Sequence, residues 1–435
     1  MLLTIFLDRN SKTPMYFQLY EKIRDAILDE RLKAGEKLPS KRKLAEEIKV
    51  SVQTVENAYS QLLAEGYLIT RPKSGFFVEK MALPIYEGNP TITMKQKREK
   101  NRNWRYDFST NVVDERVFPY EEWGKEFRDV FYDRFDPELN KTSLAGLDSL
   151  RREISGYLYR YRGISASPQN ICIGSGTEYF IMLLRLLLGN QVTIALENPG
   201  YPKLERMYID MGLKTVPIGL DNNGLMADEL AKSTADMAHV TPSHQFPCGM
   251  IMPVSRRLEL LEWAKKKPER YLIEDDYDSE FRFQGVPIRA MKSLDYQNKV
   301  IYVNSFAKSL FPGLRVNFMV FPEEMTQRLE NNFSHMACPV PVFVQMAMAN
   351  MIGNGGFERH LNRMKNIYKN RRNRLLQMIG ENDSFRMFSI KGAESGLHFL
   401  METKTGSKEE SLIRKAEENG VKIKGLKDFC LAPVS

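Results

Sequence analysis

Residues 300–315 read Val300-Ile301-Tyr302-Val303-Asn304-Ser305-Phe306-Ala307-Lys308-Ser309-Leu310-Phe311-Pro312-Gly313-Leu314-Arg315. The first four form a short apolar, β-branched run of the kind that makes a buried strand, and the small and polar residues after them form a loop. A lysine in such a loop points a desolvated amine into a cleft, where it can form a Schiff base with a carbonyl compound. Arg315, seven residues further on, offers a forked guanidinium suited to a phosphate. Ser305 and Ser309 add hydroxyls.

Earlier segments supply what such a lysine would need. Asp275 follows the apolar run Tyr271–Ile273 within Glu274-Asp275-Asp276-Tyr277-Asp278. Its carboxylate would emerge at the C-terminal edge of a sheet, where α/β proteins place ligands. Tyr277 is positioned to donate to a phenolic oxygen. Gly174-Ser175-Gly176-Thr177 lies between a strand and a helix starting near Glu178, an anion nest at a helix N-terminus. Tyr201, in Glu197-Asn198-Pro199-Gly200-Tyr201, could stack on a ring. Amine, acid, phenolate donor and phosphate cradle are the requirements of a pyridoxal phosphate site. Singly these residues say little, because the chain has 63 Lys and Arg and GxGT is a weak motif. Their order and intervals carry the reading.

From Asp107 onward, strand-like runs alternate with amphipathic stretches: Ile171–Ile173, Gln191–Leu196, Tyr271–Ile273, Val300–Val303 and Asn317–Phe321. That rhythm predicts an α/β domain with a mostly parallel central sheet. The N-terminal 80 residues differ. Tyr16, Leu19, Ile23, Ala26 and Ile27 recur at helical spacing. Ser40 caps a second helix running through Glu47, and Ser51 a third through Leu63, which Gly66 ends. Tyr67–Thr70 and Gly75–Val78, joined by Arg71-Pro72-Lys73-Ser74, predict a hairpin wing. Three helices and a wing make a winged helix-turn-helix over 1–80. Residues 81–104 then read as a basic linker, and 105–435 as the second domain.

In a helix-turn-helix the second helix of the pair presents its N-terminal residues to base edges. Here those are Ser51, Val52, Gln53 and Thr54, and Gln53 could bond adenine through both its amide groups. Ser40, Lys41 and Arg42 open the preceding helix and suit phosphates, while Arg71 and Lys73 on the wing could reach the backbone or minor groove. Charge agrees. Residues 1–80 carry 14 Lys/Arg against 11 Asp/Glu and residues 81–104 carry 5 against 2, so most of the net +8 lies in the first quarter of the chain. Four scattered cysteines without a CxxC pair argue against zinc and a disulfide framework and fit a reducing cytoplasm. No metal site is expected. Tyr179–Gly189, the longest apolar stretch, is interrupted by Arg185 and too short to span a bilayer, which predicts a soluble intracellular protein.

Residues 14–78 resemble the GntR family of bacterial regulators, and residues from 107 onward resemble fold-type-I aminotransferases. Glu274–Arg282, Thr241-Pro242-Ser243-His244-Gln245-Phe246-Pro247-Cys248-Gly249 and Ala307–Arg315 are specific to their union, the MocR subfamily. The resemblance implies that Lys308 carries the internal aldimine of pyridoxal 5'-phosphate, with Asp275 on the ring nitrogen, Tyr277 on the phenolic oxygen and Arg315 on the phosphate. Ser175, Gly176, Thr177 and Ser305, read from the residues, are expected to complete the cofactor set, and Tyr201 could stack on the ring. It also implies a double-stranded DNA operator, a small amine or amino-acid effector, and a head-to-tail, domain-swapped homodimer.

Three departures stand out. The family usually has arginine at the position of Val52, which alters the operator contact. Lys203 stands where related sensors carry an arginine for the effector carboxylate, so the charge is kept and the fork lost. The chain stops at Ser435, before the family's second substrate arginine, and its small domain is expected to be shortened there. The expected function is a pyridoxal-phosphate-dependent transcriptional regulator sensing an amine, an amino acid or the cofactor itself. The alternative is a working aminotransferase with a vestigial DNA-binding arm.

Overall fold

A computed structural model describes residues 7, 8, 11, 13–72, 74–80, 104–108, 113–132, 143–283, 289–404, 406 and 408–431. Lys73 and nearly all of the expected linker lie outside the described residues. The chain divides into two compact units, Met1–Lys100 and Asn101–Ser435.

The first unit contains α1 (Met15–Leu28), α2 (Lys41–Glu47), α3 (Val52–Ala64) and the antiparallel pair β1 (Leu68–Arg71) and β2 (Gly75–Val78), with Leu68 opposite Val78 and Arg71 opposite Gly75. Both expected caps form. The Ser40 hydroxyl accepts from the Lys43 amide at 3.3 Å, and that of Ser51 accepts from the Thr54 amide at 3.1 Å. Gly66, at φ 77°, closes α3 in the left-handed region open to glycine. Leu19, Ile23 and Ala26 of α1 pack on Val55, Ala58, Tyr59 and Leu62 of α3. The Tyr59 hydroxyl donates to the Pro39 carbonyl at 3.0 Å and ties α3 to the turn that opens α2.

In the second unit, β3 (Tyr106–Asp107) precedes an eight-stranded sheet of β4 (Ile171–Gly174), β5 (Thr193–Asn198), β6 (Lys214–Asp221), β7 (Gly224–Leu225), β8 (Met237–Val240), β9 (Tyr271–Asp276), β10 (Val300–Ser305) and β11 (Asn317–Val320). The order is β4-β11-β10-β9-β8-β5-β6-β7. Pairings from β10 through β9, β8, β5 and β6 are parallel. Antiparallel β11 sits between β10 and β4. Its direction follows from its connection: residues 306–316 form only turns and a short 3-10 segment, too few for a crossover, so the chain must fold back.

Helices α4 (Tyr120–Tyr132), α5 (Asp148–Arg162), α6 (Thr177–Leu188), α7 (Pro202–Asp210), α8 (Ala227–Lys232), α9 (Val254–Lys265), α10 (Glu323–Phe333), α11 (Val342–Gly353) and α12 (Gly356–Glu381) surround this sheet. Cys172 and Met319 pack with α6 residues Phe180, Leu183 and Leu187. Ile171, Ile173 and Phe318 pack with Leu150, Ile154, Met348 and Phe357 on the opposite face. Both faces are therefore covered, which explains why the strands read as unbroken apolar runs. A hairpin of β12 (Phe388–Lys391) and β13 (Leu400–Thr403) follows, then α13 (Glu409–Glu418) and β14 (Val421–Lys422), which pairs with β3. The functional consequence lies in strand direction: Gly174, Asn198, Val240, Asp276 and Ser305 all end strands at one edge.

Candidate functional site

Lys308 occupies the turn after β10. Phe306 and Leu310, each 1% exposed, anchor the turn, and the Leu310 amide donates to the Phe306 carbonyl at 2.8 Å. The Ser305 hydroxyl accepts from the Ala307 amide at 3.1 Å and shapes its start. Burial lowers the Lys308 pKa from 10.5 to about 8, with Asp278 acting in the other direction. Ser309 does not offer its hydroxyl to the cleft. It is 1% exposed and its Oγ faces the Phe306 carbonyl at 3.4 Å, a backbone partner that the tight turn brings within reach.

Asp275 lies opposite Val303 in the β9–β10 register. Its Oδ2 is 3.3 Å from Nε2 of His239 on β8, and Nδ1 of that ring is 2.8 Å from the Tyr208 hydroxyl on α7. Tyr208 and His239 are 0% and 4% exposed, so a buried line of polar atoms orients the carboxylate from behind.

The Tyr277 hydroxyl donates to the His244 carbonyl at 2.9 Å. Burial, then Asp278, raises its pKa well above 10, so it remains a donor. Nδ1 of His244 is 2.9 Å from Asp278 Oδ2. Burial opposes the charged imidazole of His244, yet Asp278 outweighs it and the pKa is raised. The His398 ring stands 4.4 Å from that of His244. Burial first, then the neighbouring His244, push His398 down to about 4, and its Nε2 has no partner among the described residues. Ligand atoms of His244, Asp278 and His398 lie within 4.8 Å of one another, close enough to gather a metal ion, although His244 and Asp278 already bond each other.

The expected anion cradle lies where β4 meets α6. Gly176 caps α6 at φ 120°. A Cβ built on it would lie 2.3 Å from Arg315 Nη2, so only glycine admits the guanidinium. Arg315 adopts φ 55° at the end of a 3-10 turn, and its Nη2 donates to the Ser175 carbonyl at 2.6 Å and to Glu178 Oε2 at 3.0 Å. Lys203 Nζ is 3.8 Å from Glu178 Oε1. Tyr201 caps α7 and meets Phe246 edge-to-face at 5.5 Å. Burial first, then Asp275 and Glu178, raise its pKa. Ser175, Gly176, Thr177, Lys203, Arg315 and Glu178 thus gather around the start of α6, and Tyr201 lies near enough to Asp275 and Glu178 to feel both charges.

In the first unit Val52 is 43% exposed at the start of α3. Gln53, also exposed, donates to Asn57 Oδ1 at 2.9 Å, and Ser51 and Thr54 share a hydroxyl contact at 2.8 Å. Lys41 pairs with Glu56 at 2.5 Å, Arg42 is exposed, and the Arg71 guanidinium lies 4.6 Å over the Phe77 ring. The candidate DNA-facing residues that are described all lie on or beside the helix-turn-helix and wing.

Spacing along the chain does not point to several of these partners: Glu178, Tyr208, His239, His244, Asp278 and His398. The available signal was the scarcity of histidine. Three of the chain's five fall within this site, one of them inside the quoted 241–249 motif.

Residues 15–78 match the family model for bacterial regulatory proteins, gntR family, and residues 106–427 match that for aminotransferase class I and II. The uncharacterized HTH-type transcriptional regulator YdeL of Bacillus subtilis (strain 168) is 35% identical over 424 residues, covering 97% of this chain and 91% of that protein. The "Probable rhizopine catabolism regulatory protein MocR" of Rhizobium meliloti is 30% identical over 437 residues, 97% of this chain and 88% of that one. Among solved structures, kynurenine aminotransferase of Pyrococcus horikoshii superposes with a TM-score of 0.65 at 23% identity, over 76% of this chain and 83% of that one. The last likeness establishes the fold. Among the described residues, no helix is long and apolar enough to cross a membrane.

Proposed function

The chain belongs to the MocR-like regulators, with a gntR-family DNA-binding domain ahead of an aminotransferase class I and II domain, and from that premise we propose that it binds pyridoxal 5'-phosphate at Lys308 and alters its operator binding when a small amine or amino acid enters the same site. The observation that carries this is the Lys308 amine, held near a pKa of 8 on the strand edge that also bears Asp275 and Tyr277.

The residues present fit the cofactor. Gly176 lets the Arg315 guanidinium approach the start of α6, where any side chain would collide with it, and Asp275 is oriented by a buried histidine. Lys308 would hold the aldehyde carbon. Asp275 would keep a proton on the ring nitrogen, and Tyr277 would donate to the phenolic oxygen. Tyr201 would cover the ring. The amides of Ser175, Gly176 and Thr177, with Ser305 and Arg315, would take the phosphate. When bound, the group supplies an electrophilic carbon that exchanges one amine for another. Lys203 would meet the carboxylate of an incoming amino acid, as a point charge rather than a fork.

For DNA, Ser51, Gln53 and Thr54 would face base edges, while Ser40, Lys41, Arg42, Arg71 and Lys73 would face phosphates. We place the protein in the cytoplasm as a head-to-tail homodimer, in line with its family. Regulation is favoured over turnover as an aminotransferase, because relatives that match 97% of this chain are named as regulators.

The test is an absorption titration of the full chain with pyridoxal phosphate beside Lys308→Ala. A visible band in the parent and none in the variant is expected. No band in either protein would overturn the cofactor reading and leave the gntR-family DNA-binding domain standing alone.

A further inference from the structure

We propose that Glu178 is an internal anion that competes with phosphate for the cradle at Gly176 and Arg315, so that the protein holds a phosphate-bearing cofactor loosely enough to respond to its concentration. This rests on the reading of the Lys308 site as a pyridoxal phosphate site and adds a device that governs its occupancy.

The geometry points to it directly. Glu178 lies in the first turn of α6, where a carboxylate is favoured by the helix dipole and the unpaired first amides. Its Oε2 accepts from Arg315 Nη2 at 3.0 Å, the same nitrogen that donates to the Ser175 carbonyl at 2.6 Å. That nitrogen is therefore committed to two protein oxygens. A Cβ on Gly176 would lie 2.3 Å from Arg315 Nη2 and 2.5 Å from Glu178 Oε2. The space over the glycine is thus occupied by the ion pair. A phosphate settling there must separate the pair and bring its own negative charge beside the carboxylate.

Burial opposes ionisation of Glu178, but its backbone hydrogen bond and the nearby Arg315 and Lys203 outweigh it and lower its pKa, so it is charged at neutral pH. Lys203 Nζ, 3.8 Å from the other carboxylate oxygen, gives Glu178 a second cation to turn towards when Arg315 is taken. Glu178 and Arg315 are 41% and 56% exposed in their side chains, so the exchange requires no repacking. The same exposure keeps the competition modest.

The experiment compares full-length parent, Glu178→Gln and Glu178→Ala by absorption titration with pyridoxal phosphate and, separately, with pyridoxal, which has the aldehyde but no phosphate. Both variants should bind pyridoxal phosphate about three- to tenfold more tightly, with pyridoxal unchanged. Unchanged or weaker pyridoxal phosphate binding overturns the proposal and would mean that Glu178 positions Arg315 for the ligand. An equal gain for both compounds also overturns it. Failure of all three proteins to take up either compound would instead remove the cofactor reading on which the proposal stands.

Discussion

His239 Nε2 lies 3.3 Å from Asp275 Oδ2, and the far side of the same ring contacts the Tyr208 hydroxyl at 2.8 Å. The carboxylate expected to meet a ring nitrogen is therefore held by a histidine whose orientation α7 sets. Tyr208→Phe leaves a buried ring nitrogen unpaired and should cost about 1–3 kcal/mol of stability, read by urea unfolding. His239→Leu removes the support of Asp275 and should weaken pyridoxal phosphate binding by roughly tenfold. Unchanged cofactor binding in His239→Leu would sink that positioning role.

Lys308 should titrate early. With a pKa near 8, about a quarter of the amine is unprotonated at pH 7.5, against roughly a thousandth for an ordinary lysine. The rate of pyridoxal uptake should therefore rise with a midpoint near pH 8, and a midpoint above 10 would contradict the burial argument. The stability sign is opposite to that of an ion pair. The folded state holds fewer protons on Lys308 than the unfolded state between pH 8 and 10.5, so this group opposes folding below pH 8 and the penalty fades as pH rises. Lys308→Met should melt about 2–4 °C higher at pH 7 in the absence of cofactor.

Glu197 behaves in the reverse sense. Burial raises its pKa from 4.5 to about 7, against hydrogen bonds from Thr241 and Gln245. The folded state thus binds an extra proton between those values. Its stabilising contribution is complete below pH 4.5 and is lost as pH rises through 7. Glu197→Gln should flatten that dependence, so that the variant gains on the parent in melting temperature from pH 5 to pH 8. A constant offset across that range would refute the shift.

Gly396 should not tolerate a side chain. It adopts φ +69°, and a Cβ would fall 2.0 Å from His244 Cε1 and 2.4 Å from Asp278 Oδ2. Gly396→Ala should cost about 3 kcal/mol or more and disturb the His244–Asp278 contact. Gly406→Ala, where nothing lies within 4 Å, is the control and should stay within about 0.5 kcal/mol.

On DNA, Gln53→Ala should lower affinity for the cognate operator about tenfold while leaving unfolding unchanged, because Gln53 is exposed on α3. Arg71→Ala should weaken binding to all sequences alike and reduce the salt dependence by about one counterion. Gel-shift titrations across salt separate the two effects. Equal losses on specific and random DNA for Gln53→Ala would remove it from base recognition.

Much of this was legible locally. Ser40 and Ser51 announce their helices because a cap is an interaction over three residues. Asp275 and Lys308 could be placed at one sheet edge because parallel strands end on the same side whatever their order. Ser309 could not be placed, since whether its hydroxyl faces the cleft or the chain depends on how tightly the turn closes. The antiparallel direction of β11 was equally hidden in its apolar pattern, which buried strands of either direction share.

The amino-acid sequence by itself determined the two-part organisation, the helix-turn-helix and the principal chemical groups, because these depend on short-range spacing and on strand ends. Only the tertiary structure decided that His239 supports Asp275, that His244, Asp278 and His398 converge, and that Glu178 lies against Arg315. Those contacts join segments from 34 to 154 residues apart. Side chains so distant along the chain meet only when burial of the apolar layers brings their strands and helices together, and no local pattern specifies which of them will touch.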